Sequence, residues 1–287
     1  MSKFLQKTSA FLTAVTLAFS LAACDKKETA GANVPEKAPS AIERIKQSGK
    51  VRIGVFSDKP PFGYVDKDGK SQGFDVEIAK SISKDLLGDE NKAEFVLVEA
   101  ANRAEYLLSN KVDIILANFT VTPERQEVVN FAKPYMKVSL GVVSKENAPI
   151  TDVAQLADKT LLLNKGTTAD AYFTKNYPNV KSLKFEQNTE TFEALRDGRG
   201  DALAHDNTLL FAWVKENPGF AVGIKALGEQ DFIAPAVRKE DQDLLDWLNN
   251  EIEKLGKEGA LNAAYQKTLQ PIYGESINQS DVVVEYK

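Results

Sequence analysis

The chain has 287 residues, of which 43% are hydrophobic and 27% charged, with a formal net charge of −5 and an isoelectric point near 5.2. This composition is typical of a globular protein with one or two domains. The acidic balance, without a segment that concentrates Lys and Arg among aromatic residues, argues against nucleic acid or an anionic membrane surface as the main partner.

Two residue types with catalytic or metal-binding chemistry occur once each. Cys24 is the only cysteine and His205 is the only histidine. Disulfides within the chain and Cys/His zinc sites are therefore excluded, and a Ser-His-Asp or Cys-His catalytic site would have to use His205. We expect no metal and no cofactor.

The first 40 residues are typical of export and tethering segments. Lys3 and Lys7 precede an apolar stretch, residues 8–23, that is short for a membrane span. The stretch leads into Leu-Ala-Ala-Cys24, which resembles a bacterial lipobox. We therefore expect a signal peptide over residues 1–23, a lipid such as palmitate on Cys24 and a flexible tether over residues 24–40. A plain secretory signal with a chance cysteine is the alternative.

The following hundred residues alternate between strand and helix patterns. Strands have alternating or continuous apolar residues, and helices have apolar residues three and four positions apart. The predicted strands are residues 50–56, 93–100 and 112–119, and the predicted helices are residues 75–88, 102–111 and 122–131. This βαβαβα order calls for a mostly parallel sheet with helices on its faces.

The same alternation then starts again. Three predicted strands alternate with helices, and two further helices follow before a tail, residues 275–287, that no pattern places. The strands are residues 160–166, 180–187 and 201–206, and the helices are residues 153–159, 167–177, 188–200, 207–217, 241–259 and 261–274. Two α/β units of similar size predict two lobes with a ligand cleft between them.

One corner of the first unit carries a candidate anion site. Residues 112–119 form a strand, and a helix follows in which Thr122 is a good N-cap and Pro123 suits the first helical position. Arg125 then places a fixed positive charge in the first turn. Ligands of open α/β sheets bind at the carboxyl ends of strands, so we expect an anion here.

Three long motifs resemble the bacterial extracellular solute-binding proteins for polar amino acids. They are residues 54–83, 118–135 and 161–173, and they occur in the order that the family shows. Within that family, residues 98–103, 161–173 and 202–213 look most like the cysteine-binding members. The resemblance covers about residues 42–274.

The resemblance implies a type II periplasmic-binding-protein clamshell of the α/β class. Each lobe is expected to be a mostly parallel sheet flanked by helices, with the ligand in the cleft. Lobe 1 would take residues 41–135 and 235–274, and lobe 2 residues 138–230, with two crossing segments as the hinge.

The family role implies a monomeric, lipid-anchored subunit of an ABC importer. It would capture a free amino acid, with L-cysteine favoured, and pass it to a permease in the inner membrane. Its expected location is the periplasmic side of the bacterial inner membrane, or the cell surface.

The resemblance also assigns roles within the cleft. The ligand carboxylate would meet the Arg125 guanidinium together with Thr120 and the helix start at Gly166, Thr167 and Thr168. The ligand ammonium would meet Asp206, Asn118 and Thr120. The ligand side chain would meet Phe56, Lys59, Phe62, Arg103 and His205.

Structural interpretations of these residues stay open at this point. Arg125 could pair with Glu124 or Glu127 at the surface. Thr167 and Thr168 could cap a helix without binding a ligand. Asp206 could likewise be the N-cap of the helix that starts at residue 207. His205, Phe56 and Phe62 could be ordinary packed residues.

Two other functions compete with the importer subunit. Some dehydratases that act on cyclic precursors of phenylalanine resemble this family, and His205 with Asp206 could supply a general acid. A ligand sensor or an adhesin could use the same fold for recognition alone.

Overall fold

The computed structural model describes residues 38–287. The predicted signal peptide, Cys24 and nearly all of the tether lie outside them. The described strands are β1 (Val51–Phe56), β2 (Asp58–Lys59), β3 (Gly63–Val65), β4 (Ser71–Gln72), β5 (Ala93–Val98), β6 (Ile114–Ile115), β7 (Asn130–Phe131), β8 (Met136–Lys145), β9 (Thr160–Asn164), β10 (Lys181–Phe185), β11 (Ala202–Asp206), β12 (Phe220–Ile233) and β13 (Ala236–Val237).

The helices alternate with these strands over most of the chain. They are α1 (Ala41–Ser48), α2 (Phe74–Leu87), α3 (Arg103–Leu108), α4 (Pro123–Gln126), α5 (Thr168–Asn176), α6 (Asn188–Arg196), α7 (Asn207–Glu216), α8 (Gln242–Lys257), α9 (Ala260–Thr268), α10 (Gln270–Tyr273) and α11 (Gln279–Val282). None of these helices combines the length and the apolar character that a membrane crossing requires.

Two five-stranded sheets organise the described residues, in the orders β5-β1-β6-β13-β7 and β10-β9-β11-β8-β12. In the first sheet β1 runs parallel to β5 and β6, and β13 is antiparallel to both of its neighbours. In the second sheet β9 runs parallel to β10 and β11, and β8 is antiparallel to both of its neighbours. Four strands of each sheet therefore point the same way, and the reversed strand is the one through which the chain enters that sheet from the other one.

The two sheets define two lobes. Lobe 1 consists of the elements around the first sheet, and lobe 2 consists of those around the second. The residue boundaries predicted above for the two lobes stay a prediction. Strands β8 and β12 run side by side between the lobes, with Met136 paired to Ile233 near lobe 1 and Lys145 paired to Phe220 at the far end. A small antiparallel sheet, β2-β3-β4, lies beside β1.

Amphipathic helices cover the first sheet because their apolar residues recur on one face. In α8, Leu244, Leu248, Ile252 and Leu255 are buried at spacings of three and four residues. Helix α2 ends at Gly88, which takes the left-handed conformation with φ 79° that a helix C-terminus favours.

The tail is ordered and packs on the crossing strand. Val283 forms an antiparallel bridge with Met136, and the Val284 N–H donates to the Tyr135 carbonyl. The Tyr286 hydroxyl donates to the Pro134 carbonyl at 2.6 Å. The tail therefore packs against the segment through which the chain leaves lobe 1.

Several predicted elements are shorter in the structure than in the sequence interpretation, and two of them are shorter by more than half. The strand predicted over residues 112–119 is regular only at Ile114–Ile115. The helix predicted over residues 122–131 ends at Gln126, and Asn130–Phe131 form a strand instead. That strand pairs with β13, which lies a hundred residues away in the chain, so local sequence could not indicate it.

Candidate ligand site between the lobes

Strand ends from both lobes converge on the Lys59 ammonium. Its Nζ donates to Asn118 Oδ1 at 2.6 Å in lobe 1 and to Asp206 Oδ2 at 2.7 Å in lobe 2. Lys59 is only 2% exposed. A buried charge is tolerable only when it is paired and hydrogen-bonded, and these contacts meet that condition. The sequence placed Lys59 near the ligand side chain but did not predict this bridge.

Asn118 connects several of the predicted site residues. Its backbone is in the left-handed region at φ 48°, which Asn tolerates better than most residues. Its N–H donates to Asp75 Oδ2 at 2.7 Å, and its carbonyl accepts from Arg103 Nη1 at 3.0 Å. The predicted ammonium ligand Asn118 is thus held rigidly beside Lys59 and Arg103.

Asp206 occupies the N-cap position of α7, yet its side chain makes no capping hydrogen bond. The carboxylate turns instead toward Lys59. Burial alone would raise the pKa of Asp206, but the positive charge of Lys59 outweighs that cost and holds the pKa below its usual range. The carboxylate is therefore ionised at neutral pH. Its Oδ1 accepts no hydrogen bond from a described group.

Arg103 is buried at 3% exposure and donates only to backbone carbonyls. Its guanidinium binds the carbonyls of Ala100, Ala117 and Asn118 in lobe 1 and that of Gly166 in lobe 2. Burial lowers the pKa of Arg103, while Asp206 opposes the shift. Arginine nevertheless stays cationic in proteins, so this is a buried positive charge.

Arg125 reaches the same lobe 2 carbonyl. Thr122 caps α4 through its side chain and Pro123 lies in the first turn, as predicted. Arg125 Nη1 donates to the Thr120 carbonyl at 2.7 Å and Nη2 to the Gly166 carbonyl at 2.9 Å. Burial lowers the pKa of Arg125 to about 10, which leaves it charged at neutral pH.

The two guanidinium groups lack anionic partners. Neither Arg103 nor Arg125 forms an ion pair with a carboxylate of residues 38–287, and Arg125 does not pair with Glu124 or Glu127. Both cations point at the single Gly166 carbonyl. This corner of the cleft therefore carries an excess of positive charge, which suits an anionic ligand group.

The start of α5 faces the same corner. Thr167 caps the helix, since its hydroxyl accepts from the Asp170 N–H and donates to the Asn164 carbonyl. The Gly166 N–H is used by Asp170 Oδ2 at 3.2 Å, whereas the Thr168 N–H donates to no described group. Of the three predicted lobe 2 residues, Thr168 thus retains a free backbone donor.

The two lobes contact each other directly around this site. Gly166 has φ 73°, and a Cβ built on it would lie 2.5 Å from the Ala101 Cα. A second contact between the lobes involves the Asp58 carboxylate, which accepts from Asn188 Nδ2 at 2.9 Å and from the Thr189 N–H at 3.2 Å. Glycine is required at position 166 for this close approach.

The predicted aromatic residues lie beside the cations. The Phe56 ring has Lys59 Nζ at 5.4 Å and Arg103 Cζ at 5.5 Å from its centroid. Phe62 is fully buried, with Lys59 Nζ at 5.9 Å from its ring centroid. Phe119, which the sequence interpretation left out, has both Arg103 and Arg125 over its ring.

His205 is a packed residue behind the site. Its Nδ1 accepts from the Asp206 N–H at 2.7 Å, and its Nε2 lies 3.1 Å from Asn188 Oδ1, so Nε2 carries the proton. Its ring stacks on Phe192. Burial lowers the pKa of His205, which favours the neutral ring.

Asp75 is a buried acid near the site that the sequence interpretation missed. Its Oδ1 accepts from the Tyr135 hydroxyl at 2.8 Å, and its Oδ2 accepts from Asn118. Burial raises its pKa to about 7, against the opposing effects of Tyr135 and Lys59. The sequence did contain a signal for this burial, because Asp75 lies on the apolar face of α2, beside Ile78.

An open cavity of about 620 Å³ adjoins Arg125 and residues 166–168. Neither Lys59, Asn118 nor Asp206 lines it. We therefore take as the candidate site the cluster of Lys59, Arg103, Asn118, Arg125 and Asp206, called the buried cluster below, rather than this cavity. Within residues 38–287, no group of three His, Cys, Asp or Glu side chains could hold a metal ion.

Known proteins match over nearly all of the described residues. A solute receptor for L-cysteine from Neisseria gonorrhoeae is 65% identical, with a TM-score of 0.84 over 86% of this chain and 100% of that one. A cysteine-binding protein from Campylobacter jejuni is 62% identical, with a TM-score of 0.85 over the same shares. An ABC transporter glutamine-binding protein from Bacillus subtilis is 32% identical over 87% of this chain and 92% of that protein.

These solved structures confirm the predicted two-lobed fold. The family model for bacterial extracellular solute-binding proteins, family 3, matches residues 51–271. The chain therefore belongs to the bacterial extracellular solute-binding proteins of family 3.

Proposed function

We propose that this protein is the amino-acid-binding subunit of an ABC importer and that its ligand is L-cysteine. The cysteine-binding proteins above are 62–65% identical to it, over 86% of this chain. At that similarity the residues that contact the ligand are expected to be largely shared. The glutamine-binding relative is only half as similar.

One observation carries the assignment of a free amino acid. Arg103 and Arg125 converge without a carboxylate partner, and the ionised Asp206 lies across the cleft with its Oδ1 unused by described groups. A free amino acid carries a carboxylate and an ammonium on one carbon atom. The carboxylate would bind Arg125 and the Thr168 N–H, and the ammonium would bind Asp206 Oδ1.

Closure of the two lobes supplies the contacts that a small ligand needs. A ligand of about seven heavy atoms can gain at most about 1.5 kcal/mol per atom, or roughly 10 kcal/mol in total. Micromolar binding already requires about 8 kcal/mol. Nearly every ligand atom must therefore be contacted, and groups from both lobes surround the site.

The geometry supports binding rather than acid–base catalysis. Both ring nitrogens of His205 are engaged by protein groups, and Lys59 holds Asp206 ionised. A general acid must carry a proton that it can give to the substrate. The Nε2 proton of His205 is engaged by Asn188, and the ionised Asp206 has no proton to give, so this geometry does not favour either residue as a general acid.

The anchor and the location belong to the same proposal. A lipid on Cys24 and the tether up to residue 40 would hold the binding domain near a permease on the outer side of the inner membrane. Mass spectrometry of the mature protein tests the anchor. A diacylated N-terminal Cys24 supports it, and an unmodified N-terminus at another residue contradicts it.

Calorimetric titration of the purified protein tests the ligand. The protein is first unfolded and refolded to remove any bound amino acid. L-Cysteine under reducing conditions is then compared with L-cystine, L-serine, L-alanine, L-glutamine and L-arginine. We expect L-cysteine to bind at micromolar concentration or below, and at least about tenfold more tightly than each of the others. Tighter binding of another amino acid would refute the cysteine assignment, and no binding of any would refute the function.

A further inference from the structure

The buried cluster has more positive than negative charge. The positive groups are the buried Lys59 and Arg103 and the half-buried Arg125, and Asp206 is the ionised carboxylate that pairs with Lys59. Burial lowers the pKa of Lys59, and the charge of Asp206 opposes that shift. Asp75 lies one layer further away behind Asn118 and is incompletely ionised near neutral pH, since burial raises its pKa to about 7. Interactions between buried charges are strong because water screens them poorly.

A neutral amino acid would not correct this imbalance. Its zwitterion adds one positive and one negative charge. The ligand ammonium would bind Asp206, whose Oδ2 already accepts from Lys59. The Asp206 carboxylate would then neutralise two ammonium groups, that of Lys59 and that of the ligand, while the ligand carboxylate neutralises Arg125. Lys59 and Arg103 together would still lack a full counter-charge.

Both of those cations lie beside Phe56, which the resemblance places near the ligand side chain. Lys59 Nζ and Arg103 Cζ lie 5.4 Å and 5.5 Å from the Phe56 ring centroid, and both groups bind Asn118. Contact with an aromatic ring attracts a cation but does not neutralise it. A ligand side chain that enters this region meets two positive charges.

Building on the proposed function, we propose that the cleft binds the side chain of L-cysteine as a thiolate, stabilised by Lys59 and Arg103. On binding, the S–H bond breaks, the electron pair stays on sulfur and the proton passes to the solvent. No oxidation or reduction is involved. A nearby Lys or Arg is known to lower the pKa of a thiol from its ordinary value of about 8.5.

Ionisation of the ligand would explain how a small pocket selects cysteine. Serine and alanine are close to cysteine in size, and a difference of one apolar group changes affinity only about 10- to 200-fold. The serine hydroxyl does not ionise near neutral pH, and alanine has no acidic group. Charge therefore separates cysteine from both of them where shape cannot.

Several protein groups in or behind the cluster could also exchange protons when the ligand binds. They include the two cations, the carboxylates of Asp206 and Asp75, and the ring of His205. Further out, the Tyr135 hydroxyl binds Asp75, and Asp231 lies near Arg125. Proton counting alone would not separate these groups from the ligand, so the test must also detect the sulfur directly.

The experiment measures proton release and thiolate absorbance together. L-Cysteine is titrated at about pH 6.5, roughly two units below the ordinary thiol pKa, in two buffers of different ionisation enthalpy. A difference spectrum in the far ultraviolet follows the thiolate band. S-Methyl-L-cysteine and L-serine are the matched ligands that cannot form a thiolate. We expect release of about one proton with the band for L-cysteine, and neither signal for the two analogues.

Lys59→Met tests the role of the cation, with Lys67→Met, at an exposed lysine of the loop after β3, as the matched control. We expect Lys59→Met to reduce both signals and to weaken L-cysteine binding roughly tenfold or more. Lys67→Met should behave like the wild type. If Lys59→Met does not fold, the comparison of L-cysteine with its two analogues on the wild-type protein still decides whether a thiolate is bound.

The outcomes separate this inference from the function on which it rests. Tight binding of L-cysteine without the thiolate band would overturn the thiolate and leave the importer function intact. Failure of every amino acid to bind would overturn the function itself.

Discussion

Asp75 is the residue whose burial has the clearest consequence for pH. Burial raises its pKa to about 7, although the Tyr135 hydroxyl and Lys59 oppose the shift. Because the folded state holds this proton more tightly than the unfolded state does, Asp75 contributes stability that is complete below about pH 4. That contribution is lost as the pH rises to about 7.

Asp75→Asn should therefore flatten the fall in stability between about pH 4 and pH 7. The pKa difference corresponds at most to on the order of 4 kcal/mol. Urea unfolding of the wild type and the variant across this range measures the effect. Asp68→Asn, at an exposed carboxylate, is the control. An unchanged pH dependence in Asp75→Asn would show that Asp75 is already ionised at acidic pH.

The sequence interpretation grouped residues that the structure brings together, but it did not predict their contacts. Lys59, Asn118 and Asp206 were all placed around the ligand, and the structure brings them within hydrogen-bonding distance. The Lys59 bridge was missed because it joins residues 147 positions apart. Only the closed arrangement of the lobes reveals that contact.

At the scale of elements, local signals and non-local pairing were not equally predictable. The Thr122 cap and Pro123 correctly located the start of α4, because capping depends on neighbouring residues. Its end was wrong because β7 forms only when β13 returns from the second lobe. The tail was left unplaced for the same reason, since its partner residues 134–137 lie far back in the chain.

The tail should stabilise the crossing strand through burial. Val282 and Val283 are each 1% exposed, and each buried valine contributes about 1.5–3 kcal/mol. Removal of residues 275–287 should therefore lower the free energy of unfolding by roughly 3 kcal/mol or more, as measured by urea denaturation. Glu285→Ala, at an exposed tail residue, should change it by less than about 0.5 kcal/mol. If the truncated protein has the stability of the wild type, the tail does not stabilise the crossing strand.

At the scale of the molecule, we expect ligand binding to depend on close contact between the lobes. A Cβ on Gly166 would lie 2.5 Å from the Ala101 backbone, so Gly166→Ala should hinder closure without unfolding either lobe. We expect L-cysteine affinity to fall about tenfold or more. Small-angle scattering should show that L-cysteine compacts the wild type and compacts the variant less.

Gly69→Ala is the matched control for backbone strain. Gly69 has φ 76°, nearly the same as Gly166, but a Cβ there meets nothing within 4 Å. Both variants bear the cost of a side chain in the left-handed region, and only Gly166→Ala adds a clash between the lobes. Equal losses of affinity in the two variants would mean that strain, not closure, is responsible.

The proposed ligand site is tested most directly by the dissociation constant of L-cysteine for the wild type, Arg125→Gln and Asp206→Asn. Arg196→Gln and Asp246→Asn, at charged surface residues, are the controls. We expect micromolar or tighter binding by the wild type and the controls, and a loss of roughly 30-fold or more in each site variant. Site variants that bind L-cysteine as tightly as the wild type would contradict the placement of its carboxylate and ammonium between the two lobes.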